Sequence, residues 1–362
     1  MAALTETHAP AVFLMPAVLV VLFISVFPLI VSLYLSLSRF RFVKGGFTLE
    51  FVGLLNYKKL LFGSQQFHFL GTFGDVSAPA WLALGIVAAI LAALLLRYIR
   101  GGGFSLLGLV GRGLVACVSL LGTLLVVKTL AAGGHPGTLV VTLFYVFIGV
   151  FIQYFIGLGL AVLCVQDLPG RRFFRVVFFI PIMITPVGIA YTFRMLTDTA
   201  KGPFSPLWQF FGWAETSWVT DPWGARIAVM IGDAWQWIPF MFIVLLAALE
   251  SQPRERVEAA MVDGADRWQI FRAITWPAIM PVSITLILLR TIEAFKIVDL
   301  PNVLTSGGPG IASESLTLHS FMAWRALDLG GSAAVAYLLL FVVVFVCLTF
   351  VNLVRAGRAG TS

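Results

Sequence analysis

The sequence predicts an all-α membrane protein: a polytopic helical bundle of about eight transmembrane helices, forming a single transmembrane domain over residues 1–362. Of the 362 residues, 60% are hydrophobic and only 11% are charged, against about 25% charged in an ordinary soluble domain. A mean hydropathy of +0.98 over the whole chain cannot be hidden in a globular core, whose surface demands polar side chains. The apolar residues also fall in runs of roughly 20, the length that crosses hydrocarbon.

The runs place spans at 11–37, 77–99, 105–131, 138–165, 173–196, 226–249, 279–303 and 331–354. The first run lacks a basic n-region and is long enough to span, so it is not read as a cleaved signal peptide. Residues 1–76 hold this span and an external segment whose apolar-aromatic stretch, Phe51–Phe62, predicts an interfacial helix. Residues 77–136 hold a pair of spans, with Gly101–Gly103 and Gly133–Gly134 as Gly-rich turns. Residues 137–362 hold the remaining spans and a polar loop at 250–280. The external segment 197–225 carries Trp208, Trp213, Trp218 and Trp223, residues of the kind that sit at headgroup level.

An even number of spans leaves both termini on one side. Arg97, Arg100 and Arg112, then Arg171, Arg172 and Arg175, then Arg254, Arg256, Arg267 and Arg272, and finally Arg355 and Arg358 all fall on that side, hard against span ends. By the positive-inside rule that side is the cytoplasm. Arg39, Arg41, Lys44, Lys58 and Lys59 in the first external segment are the counter-signal.

The net charge of +7 therefore reflects basic loops, and no basic run with interleaved aromatics points to nucleic acid. Cys117, Cys164 and Cys347 lie inside apolar runs without metal-ligand spacing and act as small hydrophobes. No metal site is expected. No G-x-x-x-x-G-K-[ST] pattern occurs, so nucleotide binding by that route is excluded.

The loop between the sixth and seventh spans reads Glu258-Ala259-Ala260-Met261-Val262-Asp263-Gly264-Ala265 and runs on through Ile274 to Pro277. Val257, Ala260 and Met261 share one helical face; Trp268, Phe271 and Ile274 share another. Gly264 lies between them, where a left-handed residue ends a helix and turns the chain. The product is a helix–turn–helix with apolar faces on a cytoplasmic surface, suited to docking a partner protein.

This loop resembles the EAA loop of ABC importer membrane subunits: E-A-A, three residues, G, nine residues, I, two residues, P. Glu258, Ala259, Ala260, Gly264, Ile274 and Pro277 meet every position, with Trp276 where the family commonly has Leu. Gly53-Leu54 with Asn56-Tyr57 is similar to the segment after the first span of carbohydrate-uptake permeases. Trp235 to Phe240, Phe295-Lys296 with Asp299, the run Leu304 to Pro309, and Asp328-Leu329-Gly330 with Ser332-Ala333-Ala334 resemble further segments of the same family. The likeness covers the first span and roughly 137–355, and is nearest to the maltose/trehalose type. The pair of spans at 77–136 departs from the usual six-span pattern.

The span at 279–303 carries Arg290, Glu293, Lys296 and Asp299 at intervals of three, a slowly turning stripe over about 13 Å of helix. Each unpaired charge at mid-bilayer costs about 2.5–3.5 kcal/mol on insertion scales, so the stripe must face protein or water. It is either an ion-pair ladder, Glu293 pairing with Lys296 or Arg290, or the lining of a translocation cavity. The resemblance implies substrate contacts near Trp237, Phe240, Arg290, Ala294 and Ile297, to which the charges Glu293, Lys296 and Asp299 are added as cavity lining.

The resemblance implies a type I ABC importer permease in the inner (cytoplasmic) membrane of a prokaryote, multi-pass, with both termini cytoplasmic. Expected partners are a second homologous permease, two ATPase subunits, an external solute-binding protein, a sugar and the lipid bilayer. The coupling residues would be Glu258, Ala259, Ala260, Asp263, Gly264, Ala265, Ile274 and Pro277. The chain would hold no cofactor and no catalytic residue, ATP and magnesium belonging to the ATPase partners. The competing class is a stand-alone ion-coupled secondary transporter using the 290–299 stripe as a relay; it leaves the loop pattern without a role. A membrane enzyme has no histidine cluster, paired cytoplasmic carboxylates or nucleophile motif behind it. A single cysteine at Gly102, in a background without the native cysteines, should label only from the cytoplasmic side; external labelling would sink the eight-span topology.

Overall fold

In the computed structural model, residues 13–101, 105–166, 169–213, 215 and 217–359 are described; Gly102, Gly103 and the start of the first expected span lie outside the described residues. Among the described residues, seven helices are long and apolar enough to cross a membrane: Phe13–Ser36, Ala78–Arg100, Gly108–Leu130, Thr138–Cys164, Pro222–Glu250, Arg267–Ala294 and Leu329–Arg355. Arg171–Met183 and Pro186–Leu196 pass the same test only as a pair bent by 99°, the geometry of a broken span or a re-entrant loop. In chain order these are called the first to eighth spans, the bent pair being the fifth.

The expected straight span at 173–196 is therefore bent, and its prolines explain the bend. Pro181 sits in a tight turn at Ile180–Met183. Pro186 excludes its predecessor from helical geometry, so Thr185 is extended and caps the next helix, its hydroxyl accepting from the Gly188 amide. In the segment after the first span, a helix forms within the expected stretch but over fewer residues. A β-hairpin, Ser38–Val43 paired antiparallel with Gly46–Phe51, precedes this helix, Leu55–Phe62. The alternation of Phe40, Phe42 and Phe47 with polar residues is a strand period, and Phe40 stacks on Phe47 across it.

The core lies where the fourth, sixth, seventh and eighth spans meet. Tyr154, Leu158, Phe242, Leu245, Ile279 and Leu286 are buried in one cluster, while Ile189, Val229, Ile297 and Leu304 form a second. Lipid tails are as apolar as these side chains, so close helix approach must come from small residues and polar contacts. Gly157 supplies the approach of the fourth span to the sixth: a Cβ there would lie 2.5 Å from Met241 Cβ and 3.0 Å from the Phe242 nitrogen.

The first span ends on a side-chain cap supplied from outside it. Asn56 Nδ2 donates to the carbonyls of Ser36 and Ser38 at 2.9 and 3.0 Å, groups a helix end leaves without partners. The second and third spans pack on one another, with Arg112 over the Tyr98 ring at 3.4 Å, and contribute no buried hydrophobic side chain to the core. Where the second begins and the third ends, they are tied in by a two-residue strand pair, Gly71–Thr72 with His135–Pro136.

Segments that connect the spans are held by polar contacts from the helices. Tyr145 donates to the Ser313 carbonyl at 3.1 Å, the Leu316 amide donates to Thr142 Oγ1 at 2.8 Å, and Arg226 Nε donates to the Ala312 carbonyl at 2.6 Å. Trp208 packs against both Trp213 and Trp218, its indole N–H donating to the Leu196 carbonyl. His319, beneath this surface, lies face to face with His68. Burial, and secondarily the His68 charge, push its imidazole down to about 3.

Gly157→Ala should destabilise the membrane-embedded chain by about 1–3 kcal/mol through overpacking. Gly159→Ala, where an added Cβ meets nothing within 4 Å, should be neutral. Thermal unfolding in nanodiscs compares the two, and equal effects would remove Gly157 as the point of contact.

Candidate functional site

Arg290 is the largest of the fully buried side chains, 1% exposed in the middle of a membrane bundle. Its Nε donates to Gln153 Oε1 at 2.7 Å, and a terminal guanidinium nitrogen pairs with Asp233 Oδ2. Gln153 closes the triangle by donating from Nε2 to the same Asp233 oxygen at 2.7 Å. Trp237 covers the guanidinium, its ring centroid 4.5 Å away. The fourth span supplies Gln153, the sixth supplies Asp233 and Trp237, and the seventh supplies Arg290. Gln153 lies one helical turn from Gly157, so the glycine contact sets the distance across which the triangle forms.

The expected ladder along 290–299 is not what the fold builds. The seventh span ends at Ala294, so the stripe does not continue on one helix. Arg290 reaches across to Asp233 instead of along to Glu293. Glu293 does pair with Lys296, at 2.7 Å, but on the surface, with side chains 43% and 62% exposed. Asp299 is half-buried on the next helical turn. Of the other expected lining residues, Phe240 meets Trp237 edge to face. Ala294 is buried in the main core, and Ile297 packs with Ile189 and Val229 in the second cluster. Arg290, Trp237 and Phe240 are thus brought together; Glu293 and Lys296 form a separate pair, and Ala294, Ile297 and Asp299 lie elsewhere. Asp233 and Gln153 were missed, although Asp233 is the lone carboxylate in its predicted span and an ionisable residue within a span is itself a signal.

The polar loop at 250–280 folds as two helices about one turn. The helix Arg254–Val262 ends at Gly264, φ +82°. The Ala265 amide donates to the Ala260 carbonyl at 2.9 Å and the Gly264 amide to the Met261 carbonyl at 3.1 Å, a Schellman closure that satisfies carbonyls otherwise without partners. Asp266 then opens the next helix with a capping box, accepting from the Gln269 amide while Gln269 accepts from the Asp266 amide. That helix runs without a break into the seventh span.

Around the turn, Glu258, Ala259, Asp263 and Gly264 are exposed, while Ala260, Ala265 and Ile274 are half-buried and Pro277 is exposed where the span begins. Met261, Val262 and Trp268 are 57%, 88% and 67% exposed. So large an apolar display is unusual on a polar loop and is of the kind that interaction sites use. Beside it, Arg175 at the base of the fifth span pairs with Glu250 at the end of the sixth.

Residues 153–356 match the family described as the binding-protein-dependent transport system inner membrane component. The trehalose/maltose transport system permease protein of Thermococcus litoralis is 32% identical over 218 residues, 60% of this chain and 74% of that one. A trehalose transport system permease of Mycobacterium tuberculosis is 28% identical over 61% of this chain and 71% of its own. A probable ABC transporter permease of Sinorhizobium fredii is 26% identical over 90% of this chain and 83% of its own. In fold, the chain is similar to one in the crystal structure of a bacterial alginate ABC transporter in complex with an alginate pentasaccharide-bound periplasmic protein. That match has a TM-score of 0.55 at 18% identity, covering 76% of this chain and 97% of that one.

The polar triangle makes unequal demands on its charges. Asp233→Ala should destabilise the bundle by about 3–5 kcal/mol, because Arg290 is left charged and unpaired. Asp233→Leu combined with Arg290→Met should recover most of that loss. Glu293→Ala, at an exposed pair, should cost under about 1 kcal/mol in the isolated chain. A double-mutant cycle with no coupling between 233 and 290 would reject the triangle as a unit.

Proposed function

The chain belongs to the family of binding-protein-dependent transport system inner membrane components, and on that premise we propose that it is a permease subunit of an ATP-driven sugar importer. The relatives named for trehalose and maltose support a sugar as cargo. The single observation that carries the coupling mechanism is continuity of one helix. Arg267–Ala294 begins just beyond the Gly264 turn and bears Arg290 in the buried triangle. At 1.5 Å per residue, Arg267 and Arg290 are about 35 Å apart along one rod.

The turn at 258–265, with Ile274 and Pro277 behind it, docks in a cleft of a cytoplasmic ATPase subunit. ATP and magnesium bind and react there, not on this chain. Movement of that partner tilts the seventh span, and Arg290 carries the tilt to the fourth and sixth spans through Gln153 and Asp233. The bundle thereby alternates between inward-open and outward-open cavities. A second, homologous permease forms the other wall, two ATPase subunits drive the pair, and an external solute-binding protein delivers the sugar.

The exposed Glu293–Lys296 pair supports a wet or protein-covered face at this position, since such charges facing lipid would cost about 2.5–3.5 kcal/mol each. Trp237, Phe240 and Asp299 complete the proposed lining. Both termini and the loop around Gly264 face the cytoplasm of the inner membrane, following the arginine clusters.

Gly264 requires positive φ, which costs a Cβ-bearing residue about 1–2 kcal/mol, and an added Cβ there meets no other group. Gly264→Val should therefore weaken ATPase docking roughly 5- to 30-fold while leaving insertion and the membrane core intact. Glu258→Ala should impair assembly or transmission of sugar-stimulated hydrolysis in the same way. Reconstitution with all partners, scoring complex recovery, ATPase stimulation and uptake together, is the test. Normal recovery and uptake with Gly264→Val would overturn the coupling role.

A further inference from the structure

On the external side the fold gathers three side chains that the transport reading does not use. His68 lies on the short helix Gln66–Phe69 after the hairpin. Glu314 and His319 flank the start of the helix Leu316–Arg325, between the seventh and eighth spans. His68 Nε2 is 2.9 Å from Glu314 Oε2, across 246 positions of sequence. The two imidazoles stack with centroids 3.9 Å apart and planes 10° from parallel. One ligand atom from each of the three residues lies within 4.8 Å of the others.

We propose that His68, Glu314 and His319 form a binding site for a divalent transition-metal ion of the zinc type, clipping the first external segment to the segment that follows the seventh span. Two imidazoles and one carboxylate are the donor set that zinc takes in three-ligand sites, with a fourth position left to water. Calcium and magnesium call for oxygen ligands throughout.

A second, independent observation points to an ion. Glu314 is 6% exposed, and its Oε1 is buried with no hydrogen-bond partner. A buried carboxylate oxygen left so is costly, and a proton shared between His68 and Glu314 Oε2 does nothing for it. A metal ion in the cluster satisfies the carboxylate and takes an imidazole lone pair from each ring. His319 is 4% exposed, and its Nδ1 is held 3.2 Å from Thr138 Oγ1. If Nδ1 carries the proton, it donates to Thr138 and leaves Nε2 free to ligate, the outer-shell arrangement that orients metal-bound histidines.

Around a tetrahedral ion the donors stand roughly 3.3 Å apart. His68, whose side chain is 33% exposed, supplies both the freedom to adjust and the route of entry. Thr138 opens the fourth span, so the ion would fasten three chain segments at one point above the bundle.

The test is zinc titration of the chelator-stripped full-length chain in nanodiscs, read against a chromophoric chelator, with Co²⁺ absorption as a second readout. One Zn²⁺ per chain is expected, with intense tetrahedral d–d bands for Co²⁺. His68→Asn and Glu314→Gln should each weaken affinity at least about 100-fold, and Thr138→Val about 10- to 100-fold. His68→Asn alters a partly exposed side chain, so its monodisperse elution and unchanged unfolding without metal keep the comparison valid if Glu314→Gln misfolds. Failure of the wild-type chain to retain zinc, or equal retention by His68→Asn, would overturn the site. These readouts are independent of sugar transport.

Discussion

Three spans of this bundle are held by the charge on Arg290. Within lipid the hydrophobic effect does not distinguish a helix neighbour from an acyl chain, so packing and polar contacts decide which helices touch. An unpaired guanidinium at that depth would not be tolerated. Its neutralisation by Asp233, with Gln153 bonded to both, fixes the rotation of the fourth, sixth and seventh spans about their own axes. Gly157 acts with this constraint, because only a residue without a side chain lets the fourth span approach Met241 and Phe242 closely enough for Gln153 to reach.

The same constraint bears on the polar loop at 250–280. The Gly264 closure and the Asp266 capping box make a stiff corner, and the helix leaving that corner is the one that carries Arg290. In the proposed mechanism, motion imposed at the corner passes along this helix to a triangle shared by three helices. Packed interfaces of this kind shift between discrete arrangements and do not deform smoothly, which suits a transporter that must open to one side at a time. The second and third spans stand apart from this path, since they bury no hydrophobic side chain in the core.

Much of the loop at 250–280 was legible from sequence because its determinants are local. Glycine at a left-handed position acts over a few residues, and the apolar faces of the loop recur at helical spacing; the Asp266–Gln269 capping box was found only in the structure. The polar centre was half legible. Arg290 and Trp237 stood out by type and place, but the partner of Arg290 did not. Glu293, three residues away, was the obvious candidate by helical spacing. Asp233 lies 57 positions distant, on another helix whose rotation no sequence period reveals.

The sequence by itself determined that the chain is a membrane protein, where its apolar runs lie, and where the loop turns. These follow from run length, hydropathy and single-residue backbone preferences, all of which are summed along the chain. Only the tertiary structure decided that Glu293 and Lys296 form a surface pair and that the fifth apolar run bends by 99° between its prolines. It also brought His68 against His319 and Glu314, where the sequence showed no histidine cluster and no metal spacing. Those outcomes depend on which faces meet across hundreds of positions, and a buried polar group takes whatever partner the packed helices leave within reach.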